Sequence, residues 1–173
     1  HNPPAPELLD LTDRMGFLVV DEIFDSWYLR KTPLDFHLIF QDWHEQDTRS
    51  FVRRDRNHPS VIIWSYGNEV GEQYTGEEGA GVARVLKEII REEDPERPST
   101  NSMNYAKPGM AMPVVTDLIS LNYQGEGIRD DPAYADLAGI RTGPLYNSFG
   151  EKYPDKIILS SETASDNWSS GSV

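Results

Sequence analysis

The sequence of 173 residues contains no cysteine and no long apolar run. Without cysteine, the chain can form neither a disulfide framework nor a thiolate metal site, and its composition specifies no redox compartment. The longest apolar runs have about four or five residues, such as 17–20 and 61–64, whereas a membrane-spanning helix needs about 20. The sequence therefore predicts no membrane-spanning helix.

Positive charge is also scarce. Sixteen Lys and Arg residues stand against 29 Asp and Glu residues, which gives a net charge of -13. Such a chain is repelled by nucleic acid and by anionic membranes, so neither is an expected partner. The hydrophobic fraction of 38%, with six Phe, eight Tyr and four Trp, is typical of a globular protein. The length fits one domain, since domains commonly have about 100 to 200 residues.

Short apolar runs alternate with stretches of helical periodicity along the chain. The runs predict strands at about 17–20, 61–64, 98–102, 118–123 and 157–161, and the periodic stretches predict helices at about 8–15, 36–51, 78–94 and 145–153. This alternation is typical of a parallel sheet with helical crossovers. A closed eight-stranded barrel takes about 250 residues. Five strands therefore fit either an open, doubly wound sheet or a piece of a barrel, and the pattern alone does not separate the two.

Two of the predicted strands lead into a glutamate, Glu69 and Glu162. In parallel α/β folds the carboxyl ends of the strands form the rim on which active sites are built. Two carboxyl groups there can cleave a glycosidic bond, since one can protonate the leaving oxygen while the other attacks the anomeric carbon or activates water. A glutamate at a strand end can equally be a solvated or ion-paired loop residue. The positions alone leave both interpretations open.

Four segments carry a more specific pattern. They are His1 to Pro4, Val19 to Glu22, Arg54 to Glu69 (RDRNHPSVIIWSYGNE) and Ser160 to Ser165 (SSETAS). Together they resemble the catalytic barrel of glycoside hydrolase family 2, especially that of its bacterial β-galactosidases. The third segment is the most specific, because it ends on an Asn-Glu pair, and the fourth resembles the family's nucleophile segment.

The resemblance implies an α/β fold of the (β/α)8 TIM barrel type, present as an incomplete fragment of about five βα units. Residues 1–173 would run from just after strand two to just after strand seven of the barrel, without strands one, two and eight. Flanking β-sandwich domains are expected in the full protein. The chain begins at His1 without an initiator Met, so we expect its natural start to lie upstream. Localisation stays open between the bacterial cytoplasm, the periplasm and secretion.

The same resemblance assigns four rim residues to a retaining mechanism, which passes through a covalent glycosyl-enzyme. Glu69 corresponds to the general acid/base at the end of strand four, and Glu162 to the nucleophile at the end of strand seven. Asn68 corresponds to an asparagine that hydrogen-bonds the 2-hydroxyl of the sugar. Tyr123 corresponds to a tyrosine that hydrogen-bonds the nucleophile and keeps it ionised. Judged without the family, Asn68 fits a turn and Tyr123 an aromatic side chain that fills the barrel mouth.

Four further residues are predicted to contact substrate. His1 corresponds to a histidine that lines the sugar site, and Asp21 closes strand three, where it would contact substrate or pair with a nearby arginine. Trp27 and Trp168 follow strands three and seven in loops, where an indole face can stack on a pyranose ring. Trp64 lies within an apolar strand and is predicted to pack in the interior instead.

The stretch from Asp21 to Trp27 lacks a histidine that helps to bind magnesium in some β-galactosidases of the family, so no metal and no cofactor is predicted. The expected partner is a β-glycoside or oligosaccharide substrate, and a homo-oligomer is one expected form of the full-length protein. The predicted function is retaining hydrolysis of terminal β-linked sugars, with β-galactosides first. A β-glucuronidase or β-mannosidase of the same family and a non-catalytic carbohydrate-binding barrel remain as alternatives.

Overall fold

A computed structural model describes residues 2–124 and 144–162 of the chain. Within these ranges the helices are α1 (Pro6–Met15), α2 (Phe40–Asp55), α3 (Glu77–Glu93), α4 (Met112–Val115) and α5 (Tyr146–Lys152), and the strands are β1 (Val19–Glu22), β2 (Val61–Asn68), β3 (Ser99–Met103), β4 (Ile119–Asn122) and β5 (Ile158–Glu162). Two short 3-10 turns span Phe36–Leu38 and Gly71–Tyr74. No helix of these ranges is long and apolar enough to cross a membrane.

The five strands of the described ranges pair in chain order, β1-β2-β3-β4-β5, and each pair is parallel. An open, doubly wound sheet reverses its strand order at a switch point, whereas a barrel adds every strand to the same side of the previous one. The observed order is that of five consecutive strands of a TIM barrel. The predicted α/β class is therefore confirmed, and the described ranges contain all five of the predicted strands.

Side-chain contacts between strands that are not neighbours indicate that the sheet curls. Ser102 on β3 donates a hydrogen bond to Glu22 on β1 at 2.9 Å, and Asn122 on β4 donates to Asn68 on β2 at 3.0 Å. Neighbouring strands lie about 4.8 Å apart, so in a flat sheet these pairs would stand nearly 10 Å apart at the backbone. The face that carries these residues is therefore the concave inner wall of the barrel.

The outer face of the sheet packs against the helices. Trp64 of β2 is fully buried, its ring lies 5.1 Å from that of Phe51 on α2, and its indole N–H donates to Asp94 at 3.0 Å. Leu86 and Ile90 of α3 belong to the same core. The prediction that Trp64 packs in the interior is confirmed.

The strand with the least apolar content, β3, lies in the middle of the described sheet. All five of its residues are buried, although only Met103 is apolar. Its backbone pairs with β2 on one side and β4 on the other. Thr100 donates to the carbonyl of Leu118 at 3.0 Å and Ser99 to Asp117 at 3.2 Å. Hydrogen bonds thus replace those lost to water for Ser99, Thr100 and Ser102, whereas the buried side-chain amide of Asn101 has no hydrogen-bond partner among the described residues.

The helix predicted from residue 36 begins later, at Phe40. Asp35 caps a 3-10 turn instead, since its carboxylate accepts hydrogen bonds from the backbone amide of His37 at 3.0 Å and from those of Lys31 and Thr32 at 2.7 Å each. These bonds fold the loop between β1 and α2 back on itself. The loop lies beside the carboxyl end of β2, where the candidate site is found.

Candidate active site

The carboxyl ends of β2, β4 and β5 bring four predicted site residues to one rim of the sheet. Asn68 ends β2 and Glu69 follows it, Tyr123 follows β4, and Glu162 is the last residue of β5. Glu69 and Tyr123 have positive φ angles of 47° and 53°, in the left-handed region that residues other than glycine seldom occupy. Their backbone amides are tied down, that of Glu69 to the carbonyl of Ser102 at 2.8 Å and that of Tyr123 to the carbonyl of Glu162 at 2.9 Å. Strained backbone of this kind is common at active sites.

The carboxyl group of Glu69 is half-buried and interacts with several charges. Burial raises the pKa of Glu69, a hydrogen bond from Asn122 opposes this, and the negative charge of Glu162 raises it further. Lys31 and Asp25 add smaller effects, the cation lowering the pKa of Glu69 and the anion raising it. The net pKa of Glu69 is above its ordinary value. A pair in which one carboxyl tends to keep its proton suits a division into acid and nucleophile.

Tyr123 contacts the second carboxyl group. Its hydroxyl donates a hydrogen bond to Glu162 Oε2. This bond, with burial and the charge of Glu162, raises the pKa of Tyr123 to about 12. The hydroxyl therefore stays protonated near neutral pH and remains a donor. A hydrogen bond donated to a carboxylate favours its ionised form. The predicted hydrogen bond between Tyr123 and Glu162 is therefore present in the structure. The role of Tyr123 in catalysis stays a prediction.

Asn122, the last residue of β4, joins three strands and was missed by the sequence analysis. Its Nδ2 donates to Asn68 Oδ1 at 3.0 Å and to Glu69 Oε1 at 3.1 Å. Its Oδ1 accepts a hydrogen bond from the hydroxyl of Ser161 on β5 at 2.5 Å. One sequence signal was available, since Asn122 precedes Tyr123 at a strand end just as Asn68 precedes Glu69.

The side-chain amide of Asn68 is held on both sides. Its Nδ2 donates to Asp25 Oδ1 at 3.0 Å, and its Oδ1 accepts the bond from Asn122. The backbone carbonyl of Asn68 accepts a further bond from Lys31 Nζ at 2.6 Å. The amide orientation is thereby fixed beside Glu69. The predicted contact of Asn68 with a sugar 2-hydroxyl stays a prediction.

The side chains of Asp21 and Glu22 lie on opposite faces of β1. Asp21 is only 1% exposed and faces the helix layer near Asp55 of α2. Glu22 faces the concave side, where it accepts hydrogen bonds from Ser65 at 2.5 Å and from Ser102 at 2.9 Å. Successive side chains of a strand point to opposite faces, so only one of the two can face the barrel interior. The prediction that Asp21 contacts substrate is therefore wrong.

Trp27 is a core residue and offers no surface to a sugar. It is 0% exposed, its indole N–H donates to the carbonyl of Tyr66 at 2.9 Å, and its ring stacks with those of Tyr66 and Phe40. The ring also lies directly against Gly67. The prediction that Trp27 stacks on a sugar ring is wrong, because the loop after β1 packs against the outer face of β2 and buries the indole ring there.

The remaining predictions on substrate contact lie outside the described residues. These are His1 and Trp168, for which the roles stay predictions. The structure therefore brings half of the eight predicted site residues together at one rim, namely Glu69, Glu162, Asn68 and Tyr123. It adds three polar residues that the sequence analysis did not single out, namely Asn122, Asp25 and Lys31.

The described residues hold one group of three side chains that are close enough to share a metal ion. Asp10 and Asp13 of α1 and His58 have potential ligand atoms within 4.8 Å of one another. The group lies at the amino end of the strands, and the eight residues of β2 separate His58 from Glu69 by about 26 Å. Asp13 already accepts a bond from the Ser60 amide and contacts His58 at 2.6 Å. These contacts explain the group as an interaction between α1 and the start of β2.

Comparison with protein families gives one match over nearly the whole chain. Residues 1–167 match the family model described as glycosyl hydrolases family 2, TIM barrel domain. Among curated proteins, the chain is 40% identical over 165 residues to beta-galactosidase BoGH2A of Bacteroides ovatus, an alignment that covers 77% of this chain and 19% of that protein. It is 33% identical over 165 residues to the human beta-glucuronidase, covering 92% of this chain and 24% of that protein.

Solved structures give the same result. A glycosyl hydrolase family 2 member from Bacteroides cellulosilyticus matches with a TM-score of 0.77 and 32% identity, over 94% of this chain and 19% of that one. The beta-D-glucuronidase of Dictyoglomus thermophilum matches with a TM-score of 0.68 and 27% identity, over 92% of this chain and 28% of that one. The chain thus spans only 19% to 28% of the length of these relatives.

Proposed function

Because the chain belongs to glycoside hydrolase family 2, as part of its TIM barrel domain, we propose that the protein hydrolyses terminal β-linked sugars with retention of configuration. The proposed preferred substrates are β-galactosides. Glu69 is the general acid/base and Glu162 is the nucleophile. The observation that carries the proposal is the meeting of both carboxyl groups at one rim, the first with a raised pKa and the second bound by Tyr123. The similarity to the Bacteroides ovatus beta-galactosidase supports the choice of sugar.

In the first step Glu162 attacks the anomeric carbon while Glu69 transfers its proton to the leaving oxygen. The glycosidic bond breaks, the alcohol leaves, and the sugar is joined to Glu162 through an ester bond. Retaining enzymes hold their two carboxyl groups about 5 to 5.5 Å apart, which leaves no room for water between nucleophile and sugar. The raised pKa of Glu69 supports this step, because a proton donor must still hold its proton at the working pH.

In the second step Glu69, now ionised, takes a proton from water, which attacks the anomeric carbon. The ester bond to Glu162 breaks, the free sugar leaves, and Glu69 regains its proton. Loss of the Glu162 charge in the intermediate removes one cause of the raised pKa of Glu69. The same carboxyl can therefore act as an acid in the first step and as a base in the second.

For the whole protein, we propose that residues 1–173 supply about five βα units of a complete catalytic barrel, which flanking β-sandwich domains accompany. In that barrel His1 and Trp168 line the sugar site. A homo-oligomer is the proposed assembly, which light scattering on the full-length protein can test.

The experiment that tests the mechanism is covalent trapping. The full-length protein is incubated with 2-deoxy-2-fluoro glycosides of galactose, glucuronic acid, mannose and glucose that carry an activated leaving group. The fluorine slows both steps, whereas the leaving group keeps the first step faster than the second, so the glycosyl-enzyme accumulates. Peptide mass mapping should find the adduct on Glu162. An adduct on any other residue would overturn the assignment of the nucleophile.

A β-glucuronidase is the second candidate, because several relatives carry that name, including the human one at 33% identity. The ratio of kcat/KM for 4-nitrophenyl β-D-galactoside and the corresponding β-D-glucuronide separates the two. We expect the galactoside to be hydrolysed faster. A higher kcat/KM for the glucuronide would assign the protein to the second candidate.

A barrel that binds carbohydrate without cleaving it is tested with Glu69→Gln. In a retaining hydrolase this change should slow hydrolysis most for aryl glycosides with poor leaving groups, since these depend most on proton donation. A dependence on leaving-group pKa that is the same in variant and parent would contradict the role of Glu69.

A further inference from the structure

Lys31 reaches the candidate active site from the loop between β1 and α2. Its ammonium group donates to Asp25 Oδ1 at 2.8 Å and to the backbone carbonyl of Asn68 at 2.6 Å. Asp25 Oδ1 also accepts the side-chain amide of Asn68 at 3.0 Å. Lys31 therefore binds the backbone of Asn68, and Asp25 binds its side chain, directly before Glu69 in the chain.

The loop that carries Lys31 is fixed by two carboxylates outside the site. Asp35 accepts the backbone amides of Lys31 and Thr32, and Glu72 accepts the backbone amide of Leu29 at 2.8 Å. Glu72 lies in the 3-10 turn that follows β2, so the loop is bonded to the same segment that carries Glu69. The side chain of Lys31 is only 25% exposed. Its position is thus set by hydrogen bonds at both its backbone amide and its ammonium group.

We propose that Lys31 is a positioning residue of this site, which holds the Asn68-Glu69 end of β2 in place and keeps a positive charge beside the Glu69 carboxyl. The proposal rests on the proposed function, since it assigns Lys31 to the same retaining reaction. It predicts that Lys31 acts on the proton of Glu69 and not only on the stability of the loop.

The charged and titratable groups around Glu69 come from four places. The β1–α2 loop contributes Asp25 and Lys31, β5 contributes Glu162, Tyr74 follows β2, and Tyr123 follows β4. Among those described, Lys31 is the cation that acts on Glu69, and its charge lowers the pKa of that carboxyl. Loss of the cation should therefore raise the pKa of Glu69. The alkaline limb of kcat/KM, which reports the acid of the free enzyme, should move to higher pH.

The test uses the full-length protein and pH profiles of kcat/KM on an aryl galactoside. Lys31→Met should lower kcat/KM by roughly tenfold or more, because a bond to a charged donor is lost next to the acid, and should shift the alkaline limb upward. Lys31→Gln can keep a donor to the Asn68 carbonyl but not the charge, so the limb should shift with a smaller loss of rate. Lys31→Arg keeps the charge and should leave the limb near that of the parent protein.

Arg30→Met is the matched control, since Arg30 is the exposed cation next to Lys31 in the chain. It should leave the alkaline limb unchanged. An unmoved limb in both Lys31→Met and Lys31→Gln would overturn the proposal, because a purely structural residue changes rate or melting temperature without changing the pH dependence. An equal shift in Arg30→Met would also overturn it. Trapping of the parent protein on Glu162 is measured in parallel, and its failure would count against the proposed function instead.

Discussion

The carboxyl group of Asp21 is buried between β1 and α2, next to the carboxyl group of Asp55 on α2. Burial raises its pKa to about 7, and the nearby negative charge of Asp55 adds to this, although Arg54 opposes it. An aspartate in the unfolded chain ionises with a pKa of about 3.9. From about pH 4 to 7 the folded protein therefore keeps a proton that the unfolded chain releases. The free energy of unfolding decreases as the pH rises through this window.

We accordingly predict that Asp21→Asn raises the melting temperature at pH 8 and leaves it nearly unchanged at pH 4. The gain should be about 1–3 kcal/mol, because the amide removes a buried negative charge that lies next to the Asp55 carboxylate. Thermal unfolding followed across pH measures it. Asp155→Asn, at an exposed position, is the control that should have little effect at either pH. A destabilised Asp21→Asn protein at pH 8 would contradict the prediction.

The side chain of Asn122 connects three residues at the candidate site, namely Asn68, Glu69 and Ser161. Asn122→Ala removes the bonds to Asn68 and Glu69 and the acceptor for Ser161. We predict a loss in kcat/KM of roughly ten- to a hundredfold, since a hydrogen bond to a charged group contributes about 1.5–3 kcal/mol. The bond from Asn122 also lowers the pKa of Glu69, so the alkaline limb should move to higher pH.

The control for Asn122→Ala is Ser120→Ala on the same strand. Ser120 donates to Ser161 at 2.7 Å but is not among the partners of Glu69. It should leave the alkaline limb in place. Equal pH profiles for the two variants would mean that Asn122 acts through packing alone.

At the scale of elements, the outer face of β2 depends on a close contact between Gly67 and Trp27. A Cβ atom built on Gly67 would lie 2.8 Å from Trp27 Cζ2, closer than such atoms approach in proteins. The ring has little freedom to move, because Tyr66 and Phe40 stack against it. Glycine is therefore required by the packing of the loop on the strand that leads into Glu69.

We predict that Gly67→Ala destabilises the fold by about 1–3 kcal/mol, the usual cost of overpacking a core. Gly81→Ala is the matched control, because Gly81 lies inside α3 with open space at its Cβ position. It should stabilise by about 0.5–1 kcal/mol through the higher helix propensity of alanine. Melting temperatures of both variants measure the difference, and equal values would contradict the role of Trp27 in packing.

Elements as such were largely predictable from the sequence. Four of the five described strands were predicted to within about two residues at each end, since buried parallel strands are marked by short apolar runs between helical patterns. The predicted start of β2 is correct, but the strand continues four residues beyond the predicted end, to Asn68. β3 was predicted from its place in the alternation, because its residues are mostly polar. The start of α2 was missed. The apolar spacing of Phe36 and Phe40 fits one helix, whereas the Asp35 carboxylate turns the backbone between them.

At the scale of the whole molecule, β1 and β5 are the outer strands of the described sheet. Apolar side chains lie exposed next to both, with Leu18 at 73% and Ile157 at 71%. Unpaired strand edges and exposed apolar surface promote association between chains. In the proposed complete barrel, further strands would pair with both edges.

We therefore predict that residues 1–173 expressed alone are insoluble or inactive. Solubility, light scattering and hydrolysis of an aryl glycoside measure the outcome, with the full-length protein under the same conditions as the control. Soluble, monomeric material with activity would refute the prediction.

The sequence by itself determined the alternation of strands and helices, the family and the four residues at the rim. These follow from local patterns, since hydrophobic periodicity and the segments around Glu69 and Glu162 need no knowledge of distant contacts. Tertiary structure alone decided that Asp21 faces the helices and Glu22 the barrel interior, because a strand covered on both faces has no polar side to set its phase. It also joined Asn122 to Glu69 and Lys31 to Asn68, 53 and 37 positions apart. Contacts over such separations depend on strand register and loop path, which only the folded chain fixes.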